Sequence, residues 1–117
     1  MSAAYYQITD IEQGADWALY LNFQNTDGTP LNLTGCTIKM QIRSDYGVTP
    51  VATLSTATGG ITITSATGGT ATVALTAVQT TAIAGGNYLY DIKVTNASGT
   101  VVRSVEGGAY VSPQVTQ

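Results

Sequence analysis

Catalysis in a small protein begins with side chains that can move protons, attack carbon or hold a metal, and this chain carries few of them. It has no histidine, which removes the usual general base, the Ser-His-Asp triad and the commonest transition-metal ligand. Cys36 is its one cysteine, so no intramolecular disulfide can form. A zinc site would have to surround that thiol with carboxylates, a poor match to the Cys and His sets that zinc takes. Cys36 reads instead as a small hydrophobe at a strand start. The glycine pairs, such as Gly68-Gly69 and Gly107-Gly108, precede no Gly-Lys-Ser/Thr and open no helix, so they cradle no phosphate. Asp10, Glu12 and Asp16 lie close enough together to be weighed as an acid/base pair or a calcium site. Calcium wants six or more oxygens from a defined loop, and this spacing matches none. A hydrolase built on these acids would need a concave acidic cleft. The plainer reading is a solvated turn whose charges discourage edge pairing. No catalytic, metal or cofactor residue is assigned, and an enzyme is not expected.

The elements that would position any site are strands. Gly86 to Thr95 is the central one: Tyr88, Tyr90, Ile92 and Val94 alternate onto one face, and Leu89, Asp91, Lys93 and Thr95 onto the other. Tyr88 or Tyr90 fits the tyrosine corner of sandwich folds. Before it, Tyr5 to Thr9 reads as an edge strand and Ile11 to Asp16 as a turn. Trp17, Leu19, Leu21 and Phe23 form the largest apolar strand face, expected in the core. Asn25-Thr26-Asp27-Gly28 is a turn, since Asp-Gly tolerates positive φ. Thr37 to Arg43 sends Ile38, Met40 and Ile42 inward. Val51 to Ser55, Gly60 to Thr64 and Thr70 to Thr76 are three further short strands. Ala77 to Ala84 is one short helical turn. Thr100 to Glu106 and Ala109 to Ser112 close the sheet on either side of a possible bulge at Gly107-Gly108. About seven to nine short strands with turns between them predict an all-β, immunoglobulin-like antiparallel β-sandwich, a single domain over residues 1–117. The segments between glycine pairs differ too much for a repeat array.

A chain of 117 residues can bury enough surface to fold without a disulfide or metal. Only 9% of its residues are charged, against roughly 25% in an average soluble domain, and Thr, Ala and Gly fill the difference. Such a neutral, hydroxyl-rich surface suits a protein packed against others. Four basic residues face seven acids for a net charge of -3, the wrong sign for nucleic acid. No signal peptide and no membrane span are expected, which predicts a product made in a cytoplasm. Asn32-Leu33-Thr34 and Asn96-Ala97-Ser98 fit the glycosylation pattern only as coincidences of a Thr-rich chain.

Charge placement carries more information. Lys39, Arg43, Lys93 and Arg103 all fall on strands expected in one sheet. Asp10, Glu12, Asp16 and Asp27 precede residue 28, where no base occurs. A mildly basic sheet face and an acidic amino-terminal edge could meet between copies or dock on partners of opposite sign; outward strand positions are also simply where charges go. Tyr20, Tyr46 and Tyr110 are candidate contact aromatics. The strand carrying Tyr5, Tyr6 and Ile8 is a candidate for edge augmentation.

Several stretches together resemble small immunoglobulin-like domains of tailed-phage virions, such as the amino-terminal domain of baseplate upper proteins. They are Gln13-Gly14-Ala15-Asp16-Trp17, Asp27-Gly28-Thr29-Pro30-Leu31-Asn32-Leu33-Thr34-Gly35-Cys36-Thr37, Ile42-Arg43, Gly86-Asn87-Tyr88-Leu89-Tyr90-Asp91-Ile92, and Gly99-Thr100-Val101-Val102-Arg103 through Val115-Thr116. The likeness spans nearly the whole chain but rests on turn and packing residues. Baseplate proteins continue past this domain, whereas this sequence stops at Gln117. The resemblance therefore implies a stand-alone virion module: a head decoration or cement protein, or a neck or tail adaptor. Its partners would be other virion proteins and copies of itself, with no nucleic acid, membrane or small-molecule substrate. The alternative is a carbohydrate- or host-surface-binding module in which Trp17 or exposed tyrosines stack on sugars.

Overall fold

Period-two alternation of apolar and polar residues turns about half of the chain into strands. The computed structural model describes residues 4–25 and 27–115, without the side chains of Ala4 and Tyr5; Thr26 of the expected turn lies outside the described residues. The elements run β1 (Ala4–Tyr5), β2 (Ile8–Glu12), β3 (Trp17–Asn22), β4 (Thr37–Arg43), β5 (Ala52–Ser55), β6 (Ile61–Ser65), β7 (Thr70–Leu75), α1 (Ala77–Thr81), β8 (Gly86–Thr95) and β9 (Val101–Ser112). Six strands form one sheet in the order β1-β9-β8-β4-β5, with β2 also on β9, and three form the other in the order β3-β7-β6. Packed face to face, they make an immunoglobulin-like β-sandwich.

The core lies between the sheets. Ile38, Met40 and Ile42 of β4 and Tyr88, Tyr90, Ile92 and Val94 of β8 meet Ile61, Ala71, Val73 and Leu75 of the smaller sheet. Each such aliphatic side chain contributes about 1.5–3 kcal/mol by leaving water. The strand β8 pairs antiparallel with β4 from Arg43↔Leu89 to Thr37↔Thr95 and with β9 along its whole length.

Both inward tyrosines anchor backbone. The Tyr88 hydroxyl donates to the carbonyl of Ala84 at 2.6 Å, four residues upstream, which makes Tyr88 the tyrosine corner. The Tyr90 hydroxyl donates to the carbonyl of Tyr6 at 2.6 Å, in the break between β1 and β2. Gly107 lies opposite Tyr90, and a Cβ there would sit 2.2 Å from the Tyr6 carbonyl oxygen. Only a residue without a side chain lets the amino-terminal segment approach so closely.

Four features depart from the sequence reading. First, β1 and β2 run parallel to β9 rather than antiparallel, because first and last strands share one sheet and the rest of the sandwich serves as their crossover. Second, β9 is continuous through Gly107-Gly108, and its bulge falls earlier: Ile92 pairs with Val105 but Lys93 with Arg103, leaving Ser104 as the extra residue. The bulge reverses the alternation and so turns Arg103 outward. Third, Ile11 and Glu12 belong to β2 rather than to a turn. Fourth, Trp17, Leu19 and Leu21 are only partly buried against the core, because β3 is an edge strand that pairs with β7 on one side and, among the described residues, with no strand on the other.

The helical turn holds its position through local capping. The Thr76 hydroxyl accepts from the amide of Gln79, whose side chain accepts from the amide of Thr76, the reciprocal capping box. Buried Thr80 donates to the carbonyl of Ala15 at 2.9 Å and accepts from the amide of Gly14 at 3.1 Å, tying α1 to the turn before β3.

Tyr88→Phe keeps the ring and removes only the corner hydrogen bond. It should lower stability by about 1 kcal/mol, read as a lower urea midpoint at unchanged m-value.

Candidate functional site

The outer face of the six-stranded sheet gathers the basic residues. Lys39 on β4 pairs directly with Lys93 on β8, which pairs with Arg103 on β9, so three cations form one row across three adjacent strands. The next row is Gln41, Asp91 and Glu106, and the one after it Arg43, Leu89 and Gly108. Arg103 meets Glu106 at 3.6 Å, an exposed pair of small energetic weight. Among the described residues Lys39 and Lys93 form no ion pair, and like charges directly opposite repel. The row is therefore a patch whose repulsion an acidic partner would relieve.

Beside this row the sheet dips into a concavity of about 490 Å³, lined by Gln41, Arg43, Tyr46, Asp91, Arg103 and Glu106 over a floor of Leu89, Gly107 and Gly108. Gly108, opposite Leu89 on this outer face, brings no side chain to the floor. The Arg43 guanidinium donates to the carbonyl of Val48 and, at 2.7 Å, to the Gln41 side-chain oxygen, fixing one wall. Tyr46 stands on the following loop, 83% exposed, its amide donating to the Asp45 carboxylate at 2.7 Å. The arrangement is a polar groove with one free aromatic ring at its rim.

The sequence-derived candidates divide accordingly. Arg43, Tyr46 and Arg103 come together at the groove, with Lys93 and Lys39 alongside. Tyr110 and Tyr6 are exposed near the amino-terminal edge of the same sheet, while Tyr20 lies on the other sheet. The side chain of Tyr5 lies outside the described residues; its backbone pairs opposite Glu106. Ile8 is a correction. It is 3% exposed, since it faces the core opposite Ala109, and it cannot serve as a contact side chain. Trp17 packs against the core from the inner face of β3 and does not stand free for sugar stacking.

The three early acids do not converge. Asp10 and Glu12 are exposed on β2, whereas the Asp16 carboxylate accepts from the amide of Ala77 at 2.8 Å and caps the helical turn. Among the described residues no three Cys, Asp or Glu side chains gather as a metal site. Asp27 is held below the ordinary carboxylate range by the hydroxyl and then the amide of Thr29, a property of its turn. The acids of the groove, Asp91 and Glu106, escaped sequence reasoning. Alternation put Asp91 outward, but only strand register brings it beside Gln41 and Glu106.

Scans against protein-family models and curated proteins find no match. Among solved structures, the chain is similar to the crystal structure of CopC from Methylosinus trichosporium OB3b, with 15% sequence identity and a TM-score of 0.48, over 100% of this chain and 90% of that one. That degree of likeness carries no argument about what the chain binds.

Lys93→Glu replaces the middle of the basic row with a partner for both neighbours. It should raise stability by a few tenths of a kcal/mol at low ionic strength. The gain should fade as salt is added, as followed by denaturant midpoints at two salt concentrations.

Proposed function

We propose that this chain is a non-enzymatic structural component of a bacteriophage virion, a head decoration or cement protein or a neck or tail adaptor. It acts by contact with other virion proteins and with copies of itself. It is made in the host cytoplasm and ends in the particle. The observation that carries this reading is the segregation of charge. The three strands of the smaller sheet, WALYLN, ITITS and TATVAL, contain no charged residue, while the larger sheet bears a cationic row in which Lys39 and Lys93, among the described residues, have no ion-pair partner. One face suits a neutral neighbour and the other an acidic one, and no chemistry is needed from either. The resemblance of the turn and packing motifs to those of phage immunoglobulin-like domains directs the proposal to the virion.

One observation favours a second reading, a glycan-binding module. The groove offers an exposed tyrosine ring, with the planar polar side chains of Gln41, Asp91 and Glu106 beside it, the mix that sugars use for stacking and hydrogen bonding.

Counting this chain against the major capsid protein in purified virions tests the first reading. Abundance near that of the capsid protein is expected for a decoration role, and a handful of copies for the neck or tail. Absence from the particle would overturn the virion assignment. The glycan reading requires binding to a sugar panel that Tyr46→Ala weakens at least about tenfold; no binding, or binding indifferent to Tyr46, ends it.

A further inference from the structure

We propose that β3 is the joint between two copies of this chain, pairing antiparallel with its symmetry mate about a twofold axis at Tyr20. The inference rests on the reading of the chain as a protein that works by contact with its own copies, and it names the surface.

The edges of the two sheets differ in how they are protected. Natural proteins protect edge strands by shortness, bulges, proline or charge. The β2 edge has a register shift between Ile8 and Ile11 and carries Asp10 and Glu12. The β5 edge is four residues long and follows Pro50. The β6 edge has a register shift between Ile63 and Ser65. By contrast, β3 pairs with β7 in unbroken register from Trp17↔Leu75 to Asn22↔Thr70. It contains no charge, proline or bulge, and no strand lies on its other side among the described residues. This also moves edge augmentation away from the amino-terminal strand, where the sequence alone placed it.

Backbone register along β3 suits the same joint. The amide of Phe23 donates to the carbonyl of Gly69 at 2.8 Å, so by alternation Leu21, Leu19 and Trp17 turn their backbone groups toward β7. Ala18, Tyr20 and Asn22 therefore point theirs at the open edge. An antiparallel mate centred on Tyr20 sets Ala18 opposite Asn22 and Tyr20 opposite itself, so each open donor meets an open acceptor. On the inner face the same register sets Leu19 opposite Leu21 and Trp17 opposite Phe23, apolar against apolar. The partly exposed side chains of Trp17, Leu19 and Leu21 gain the neighbour they lack. On the outer face Tyr20, 80% exposed, meets its own copy as an aromatic pair. The contact is isologous and closes on itself, joining two three-stranded sheets into one. A single strand pair buries less than a standard interface, so the dimer should be weak in solution and strengthened by the high local concentration of an assembly.

Sedimentation equilibrium of the full chain from about 1 μM to about 1 mM should show the mass rising from 12.1 kDa toward twice that value. Tyr20→Lys should weaken dimerisation at least about tenfold while leaving the circular dichroism spectrum and Tm of the monomer unchanged. A chain that stays monomeric throughout, or a Tyr20→Lys variant that dimerises as before, overturns the proposal. Register has its own test by oxidation in a Cys36→Ala background. Tyr20→Cys should cross-link to itself, because directly opposite Cα atoms at about 5.5 Å suit a disulfide. Ala18→Cys and Asn22→Cys should each stay uncoupled alone but cross-link when mixed. Dimers that fail this pattern use another surface and refute the joint. A dimer absent from virions would sink the virion reading and leave the joint standing; a monomeric chain abundant in virions would do the reverse.

Discussion

The sandwich depends on β8 being hydrogen-bonded along both edges. A strand so placed must commit its faces: Tyr88, Tyr90, Ile92 and Val94 go to the core, and Leu89, Asp91, Lys93 and Thr95 to the surface. The other constraints follow from that commitment. The Tyr88 hydroxyl closes the corner that delivers the chain into β8, and the Tyr90 hydroxyl catches the Tyr6 carbonyl, holding the amino-terminal strands against β9. Gly107 must lack a side chain for that contact to exist. The bulge at Ser104 lets Val102 and Val105 both pair with inward residues of β8, Val94 and Ile92, while Arg103 joins the outer row. Packing inside the sheet thus dictates what its outer face displays.

The two outer faces then diverge in character. The larger sheet concentrates charge in rows set by register, a cationic row beside a Gln/Asp/Glu row, and frames a polar groove. The smaller sheet is free of charge, built from Thr, Ala and one exposed tyrosine. Of the three acids clustered in sequence, Asp10, Glu12 and Asp16, the last is occupied in capping a helical turn. What both surfaces share is an incomplete inventory of neighbours: repelling lysines on one, open backbone groups and half-covered Trp17, Leu19 and Leu21 on the other.

Much of this was legible from alternation alone. The strands at Thr37–Arg43 and Gly86–Thr95 can be read to the residue, because clean period-two patterns leave no competing register. The tyrosine corner narrowed to two residues, and the grouping of all four basic residues in one sheet followed from strand order. What failed depended on partners distant in sequence. The burial of Ile8 and the extension of β2 through Glu12 come from pairing with β9, about a hundred residues away. The bulge was expected at the glycines, yet Gly107 answers to Tyr6, and the bulge falls at Ser104, which nothing in the local sequence marks. The apolar stripe of Trp17, Leu19 and Leu21 read as deep core; only topology shows that it lies on an edge. The groove acids needed register across three strands, which no single stretch encodes.

A free β3 edge that another copy covers would show residue by residue in amide hydrogen exchange along that strand. In dilute protein the amides of Leu19 and Leu21 should be protected by β7, while those of Ala18, Tyr20 and Asn22 exchange fast. At high concentration the three fast amides should slow together. Alternation in the dilute sample with concentration-dependent loss of the fast set is the expected result. Fast amides that stay fast at every concentration, or an Ala18, Tyr20 and Asn22 set already protected in the dilute monomer, would contradict it.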